Sequence, residues 1–236
     1  MLEIGISITI MIIFLIVMKF IMGINIKKIK ELSKKDDLDV LTKELPDSET
    51  MTKEILKMLK NETVKVRKAI DEKAGTRLYI VLNNTIILGN MENKYARVQT
   101  IAHECLHSIQ SKKLLWFNYI YSNLYIIYFW ISIILTLLKV FNEPIYNMHL
   151  LILLGLVWYV IRSYLETDAM TKAPFLAKEY LEEKNISKEN IETLIDSYNE
   201  INEQSIPATN YGLIAQVLIR CIVYAIIVII IKMAGY

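Results

Sequence analysis

The chain has only two cysteines, Cys105 and Cys221, and no Cys-x-x-Cys pair. That excludes a disulfide framework and a vicinal redox pair as organising devices. Both thiols read as buried fillers, one inside a motif described below and one in an apolar run. Four prolines and seven glycines are spread over 236 residues, and neither a low-complexity tract nor an internal repeat is visible. A net charge of +2 gives no surface suited to a polyanion, so no nucleic-acid partner is expected. Histidine is scarce, with three copies, and two of them lie four positions apart.

What the chain has in excess is apolar residues, 54% of the total. The length would suit one or two soluble domains, but these residues are clustered into long runs separated by charged stretches, the pattern of a membrane protein. The first run covers residues 4–22, about the length that spans a bilayer, with Lys19 placed to snorkel near its end. A cleaved signal would want basic residues before the apolar core and small residues after it. Met1-Leu2-Glu3 precedes this run and Lys27, Lys28 and Lys30 follow it, so we read a retained anchor whose C-terminal side is cytoplasmic.

Residues 26–113 are the main polar segment and hold 18 of the 27 Lys and Arg residues. Residues 48–60 have a Ser or Thr cap and helical apolar spacing. A second helix is expected over 62–73, ending near Gly75. Residues 77–82 and 85–88 are rich in β-formers and flank Asn83-Asn84, which predicts two short strands and a tight turn. Residues 93–111 read as one helix. The strand ahead of that helix is either an edge on which an extended peptide lies or a plain structural hairpin.

A second apolar run covers 114–138, with Trp116, Tyr119, Tyr121, Tyr125, Tyr128 and Trp130 suggesting an interfacial belt at its start. A short connection over 140–147 leads to a third run at 148–161, closed by Arg162. Residues 163–210 are polar again, with amphipathic helices expected over 173–183 and 187–202 and breaks at Asn185 and at Ser205-Ile206-Pro207. The last run is 213–233. Arg220 lies inside it, which is costly without a partner; either the helix begins as an interfacial segment or Arg220 faces a cytoplasmic cleft.

The positive-inside rule places 26–113 and 163–210 in the cytoplasm, with both termini and the 140–147 turn outside. The segments are therefore an anchor (1–25), a cytoplasmic region (26–113), a membrane hairpin (114–162), a second cytoplasmic region (163–210) and a C-terminal membrane helix (211–236). The fold expected is a mainly α-helical, multi-pass integral protein of the cell membrane. It has about four transmembrane helices and a cytoplasmic zincin-like region containing a short β-hairpin.

The chemistry concentrates at His103-Glu104-Cys105-Leu106-His107. On a helix, residues four apart share a face, so His103 and His107 can grip one metal ion. Glu104 then sits where a general base for an activated water is needed. Val98, Ile101, Ala102, Leu106 and Ile109 would bury the opposite face. The hairpin leaves the cytoplasmic side just after His107 and returns just before Glu166. That makes Glu166 the expected third ligand, as many zinc proteases take a glutamate from a later helix. Asp168 is a candidate to hold a histidine's outer N–H. Glu182 and Glu183 read as solvated, and His149 falls on the outer face. Arg220 and Tyr224 are candidate stabilisers of an oxyanion.

The stretch His103-Glu104-Cys105-Leu106-His107-Ser108-Ile109-Gln110 resembles the His-Glu-x-Gly-His-Ala-x-Gln box of the YugP-like neutral zinc metallopeptidases. Leu165-Glu166-Thr167-Asp168-Ala169 is similar to that family's Glu-Phe-Asp-Ala-Ser box. The order of anchor, zinc box, membrane hairpin, acidic box and final membrane segment also matches. Leu106, Ser108, Thr167 and Met170 depart from the family pattern, and none is a presumed ligand or base. The resemblance implies a membrane-embedded, zinc-dependent peptidase acting on peptides or membrane-proximal proteins. The alternative is a non-enzymatic membrane scaffold or receptor with a structural metal or none.

Overall fold

A computed structural model of the chain describes residues 2–69, 78–89, 94–141 and 143–234. The expected strand start at Arg77, the break at Gly75 and the expected helix start at Asn93 lie outside the described residues. In order, the elements are α1 (Leu2–Ile21), α2 (Ile26–Leu32), α3 (Asp36–Asp39), a single 3-10 turn (Val40–Thr42), α4 (Ser48–Met58), β1 (Lys65–Lys68), β2 (Leu78–Ile80), β3 (Thr85–Leu88), α5 (Arg97–Ile109), α6 (Lys112–Leu137), α7 (Pro144–Glu183) and α8 (Lys188–Met233). The protein is thus mostly helical with one small sheet. Helices α1, α6, α7 and α8 are each long and apolar enough to cross a membrane.

The chain divides into two compact units. The apolar unit takes Met1–Ile24, Phe117–Tyr164 and Pro207–Tyr236; the polar unit takes Asn25–Trp116 and Leu165–Ile206. In the apolar unit, α6, α7 and α8 pack around Tyr125, Leu151, Val217, Cys221 and Tyr224, all almost inaccessible, while α1 buries only Ile4 and Met11. Gly155 permits the closest approach. A Cβ built there would sit 2.3 Å from Val217 Cγ1 and 2.5 Å from the Tyr125 hydroxyl. Several polar side chains inside this unit pair with one another. Trp158 Nε1 donates to Ser122 Oγ at 2.8 Å, and the Tyr128 hydroxyl donates to Asn147 Oδ1 at 2.5 Å.

The polar unit is built on α4, α5, the sheet, and the parts of α7 and α8 beyond the apolar stretches. Its core joins Met51 and Ile55 of α4, Ile86 and Leu88 of β3, Ile101, Ala102 and Cys105 of α5, and Ala173, Ala177 and Leu194 of the two long helices. The N-cap of α4 is Asp47, which accepts from the backbone N–H of Glu49 and Thr50, in place of the expected Ser or Thr. The hydrogen bond from the Thr50 hydroxyl, against a smaller opposing effect of burial and aided by the backbone N–H groups of Thr50 and Glu49, holds its carboxyl below the usual carboxylate range.

Three expectations are corrected in this unit. Residues 65–68 of the anticipated 62–73 helix form β1. Lys60 adopts a left-handed φ of 53° that ends α4, and Val64 and Val66 then alternate inward. β1 pairs in parallel with β3, Lys65 opposite Thr85, giving a three-stranded sheet of order β1-β3-β2 where a hairpin alone was expected. The hairpin itself is present, with Tyr79 opposite Ile86, but β2 stops at Ile80. Val81 and Leu82 belong to its turn, where Asn84 has φ 51° and its Oδ1 accepts from the Tyr79 hydroxyl at 2.8 Å.

The third correction is the continuity of the long helices. The anticipated helices at 173–183 and 187–202 are not separate: α7 runs for 40 residues through Pro174, and α8 for 46 residues through Pro207. Only the break at Asn185, with φ 57°, is present. Proline lacks an N–H and leaves the carbonyl four residues earlier without its helical partner. At Pro174 that carbonyl is Met170 O, and Asn202 Nδ2 of α8 donates to it at 2.6 Å. The side-chain bond replaces the missing backbone bond, so the helix continues.

Candidate metal centre

Helix α5 carries the His-Glu-x-x-His stretch and is held at both ends and on its flank. Arg97 in the first turn is buried and donates from Nη2 to the carbonyls of Thr42 and Leu45, each at 3.0 Å. Gln99 Nε2 donates to Asn202 Oδ1 at 2.7 Å. At the C-terminal end Asn61 Nδ2 donates to Ser108 Oγ and to the Ser108 carbonyl, at 2.9 and 3.2 Å. Val98, Ile101, Ala102 and Leu106 are buried as expected from the helical spacing. Ile109 is not: it is 47% exposed. Cys105 is fully buried, and burial pushes its thiol pKa far up, so it packs as a small apolar residue.

His103 and His107 point into one space. Their Nε2 atoms are 3.0 Å apart and their rings stand nearly perpendicular, at 86°. Glu166 of α7 completes the group, with Oε2 3.4 Å from His103 Nε2 and Oε1 3.8 Å from His107 Nε2. The three ligand atoms lie within 4.8 Å of one another, and the group can hold a metal ion. Four tetrahedral donors at about 2.0–2.1 Å from a centre lie roughly 3.3–3.4 Å from each other. The observed spacings bracket that value.

The hydrogen-bonding around His107 fixes what it offers. Gln110 caps the C-terminal end of α5 in an extended conformation, ψ 164°. Its Nε2 donates to the Leu165 carbonyl at 2.8 Å and to Asp168 Oδ2 at 2.9 Å. Both partners are acceptors, so the amide orientation is set and Oε1 faces His107 Nδ1 at 2.9 Å. Nδ1 must then carry the proton, and Nε2 of the neutral ring presents a lone pair toward Glu166 and His103. His103 Nε2, His107 Nε2 and the Glu166 carboxylate thus converge on one space, a donor set that can hold a metal ion. The same field acts on His107 itself. Burial opposes its protonated form, but the hydrogen bond and charge of Glu166, joined by the charge of Glu104 and by Gln110, outweigh it and raise its pKa above the ordinary histidine value.

Glu104 is 6% exposed, and its Oε2 is buried without a hydrogen-bond partner. A buried carboxylate oxygen with nothing to accept is costly to keep, and here it stands beside His103 on the same helix.

Asp168 does not hold a histidine directly, as the sequence suggested. It holds Gln110, which holds His107, and it is itself paired with Lys172 at 2.5 Å. Gln110 is therefore the residue that sequence reasoning passed over. The available signal was its position three residues after His107, on the same helical face. Arg220 and Tyr224 are occupied elsewhere. The Arg220 guanidinium lies 5.3 Å from the Tyr125 ring centroid and 5.6 Å from that of Trp158. The Tyr224 hydroxyl is hydrogen-bonded to that of Thr136 at 2.9 Å. These contacts belong to the apolar unit. His149 is an exposed residue of α7 in that unit. No family model matches the chain, and neither a curated protein nor a solved structure is similar enough to count as a match.

Proposed function

We propose that the chain is a membrane-bound, zinc-dependent peptidase of the YugP-like kind, with its site on the cytoplasmic side. The observation that carries this reading is the convergence of His103 Nε2, His107 Nε2 and Glu166 beside a buried, unpartnered Glu104 oxygen. Nitrogen and carboxylate donors in that number and spacing suit zinc, which takes three protein ligands in catalytic sites and keeps one position open. When bound, zinc supplies Lewis acidity toward a scissile carbonyl and lowers the pKa of a water toward neutrality.

The chain's own residues do the rest. His103, His107 and Glu166 hold the ion. Gln110 keeps His107 in the tautomer that presents Nε2, and Asp168 with Lys172 keeps Gln110 in place. Glu104 takes a proton from the attacking water and delivers it to the leaving amine. Its lack of a competing hydrogen bond leaves Oε2 available for that transfer. The strand directly ahead of α5, expected as a possible edge, is β3, which is paired on both sides; an extended peptide would dock on β2 instead. This strand lies at the margin of the sheet, packs next to α5, and among the described residues pairs on one side only. Glu166 is five residues past the apolar stretch 148–161 on the same helix, a rise of about 7.5 Å. That favours substrates near the membrane surface.

The test is a pair of variants in detergent-purified protein. Glu104→Gln should abolish cleavage of an unfolded protein substrate and keep zinc near one equivalent, while His103→Ala should lose both. Cleavage by Glu104→Gln at the wild-type rate refutes the mechanism. Absence of zinc from the wild-type protein, after growth in zinc and purification without chelator, would favour a non-enzymatic scaffold.

A further inference from the structure

Arg220 poses a problem that its ring contacts do not solve. It lies seven residues into the apolar stretch 213–233 of α8, about 10 Å along the helix. Among the described residues no carboxylate is within ion-pair distance of it, and its Nη1 is buried without a hydrogen-bond partner. A guanidinium at that depth is expensive unless an anion or a water-filled space receives it.

The structure offers such a space. A cavity of about 250 Å³ in the apolar unit is lined by Arg220, Arg162, Asn118, Ser122, Tyr125 and Trp158, among others, and no carboxylate lines it. Two guanidiniums therefore line one enclosure. The wall is rigid: Trp158 is fixed by its bond to Ser122, Ser122 Oγ donates to the Asn118 carbonyl at 2.6 Å, and Gly155 lets Tyr125 lie against α7. Tyr125 and Trp158 hold the Arg220 guanidinium by cation–π contact, which positions the charge but leaves Nη1 without an acceptor. A second lining atom, Asn118 Oδ1, is also buried without a partner, and it can only accept.

The six residues lie at one level of the helices. Asn118 and Ser122 fall early in the 114–138 run, Arg162 follows the end of the 148–161 run, and Arg220 falls in the first third of the 213–233 run. Since α6, α7 and α8 alternate in direction, these are the same ends of the three apolar stretches.

We propose that this cavity binds the phosphate head group of an anionic phospholipid, with Arg220 as its principal ligand and Arg162 at the mouth. The phosphodiester supplies the charged acceptor that Arg220 lacks. A hydroxyl-bearing head group such as that of phosphatidylglycerol supplies the donor that Asn118 Oδ1 lacks. The apolar surface of the same helices takes the acyl chains. The inference does not depend on the metal centre, and its test reads no peptidase activity.

The full chain is purified in detergent, presented with phosphatidylglycerol and phosphatidylcholine together, and examined by native mass spectrometry. One equivalent of phosphatidylglycerol should be retained in preference to phosphatidylcholine. Arg220→Gln should weaken that retention by about tenfold or more, the scale of losing charge-assisted hydrogen bonds, and Arg220→Lys should weaken it less. Equal retention of the two lipids by the wild-type protein overturns the proposal without need of any variant. So does undiminished phosphatidylglycerol binding by a folded Arg220→Gln protein. Displacement of the lipid by millimolar inorganic phosphate assigns the cavity to the free ion and overturns the lipid assignment.

Discussion

Replacing Gln110 by Leu separates the tautomer argument from simple proximity of ligands. In the native protein, His107 is 7% exposed and its Nδ1–H has one acceptor, Gln110 Oε1 at 2.9 Å. Leucine fills similar space and offers none. The neutral ring then either buries an unpaired N–H, at roughly 1–3 kcal/mol, or moves its proton to Nε2 and loses the lone pair that faces Glu166. Either route acts on metal binding. Removal of such an outer partner costs about 10–100-fold in metal affinity, or roughly 1.4–2.7 kcal/mol, which agrees with the hydrogen-bond estimate. The zinc dissociation constant, read by competition against a chromophoric chelator, should rise by that factor. The melting temperature of the zinc-free protein serves as the control for folding. Gln110→Glu sets the direction of the effect. It keeps an acceptor for Nδ1–H but loses the donations to the Leu165 carbonyl and Asp168, so it should retain more zinc affinity than Leu. Wild-type zinc affinity in Gln110→Leu would refute the argument. Equal losses in Leu and Glu would show that Gln110 works through its contacts to α7 and not through the histidine.

Two further outcomes follow from packing and from charge. Gly155→Ala places a methyl group 2.3 Å from Val217 Cγ1 and 2.5 Å from the Tyr125 hydroxyl, and both side chains are nearly inaccessible, so neither can retreat; overpacking of about 1–3 kcal/mol should lower the thermal transition in detergent, and an unchanged transition would refute the close approach. Burial disfavours the charge on Glu54, but hydrogen bonds from Lys184 and Tyr180 outweigh it and hold its pKa below 4.5. A depressed carboxylate stabilises the fold above its unfolded value and loses that contribution as pH falls through the folded value. Glu54→Gln should therefore lower thermal stability at neutral pH, with the gap from wild type closing well below pH 4.5; a gap that persists in acid would mean the loss is one of packing.

The candidate metal site was unusually open to reading because its parts obey short-range rules. His103 and His107 share a face by helical spacing alone. Glu166 was expected near them because two apolar runs of spanning length between them would leave and return on one side of a bilayer, which is a counting argument. The four apolar helices were legible for the same reason, as length and hydropathy decide them. What the sequence concealed depends on partners distant in the chain. β1 looked helical because residues 62–73 have helical spacing, yet its hydrogen bonds go to β3, about twenty positions on. Asp168 was expected at a histidine, but the Gln110 side chain lies between them and bonds to both.

Pro174 and Pro207 mark the limit most sharply. Local patterning puts Pro174 at the start of a new helix over 173–183 and Pro207 in a break, which cuts the chain into membrane helices and separate amphipathic ones. At Pro174 the structure shows why that division fails. The orphaned Met170 carbonyl finds Asn202, and the same Asn202 side chain accepts from Gln99 in the helix that carries the two histidines. A single amide thus repairs the helix bearing Glu166 and ties it to the helix bearing His103 and His107. Continuity of α7 and placement of the third ligand are then one problem. A sequence reader who allowed Asn202 to cap an interior proline would have found a 40-residue helix and the metal site by the same step.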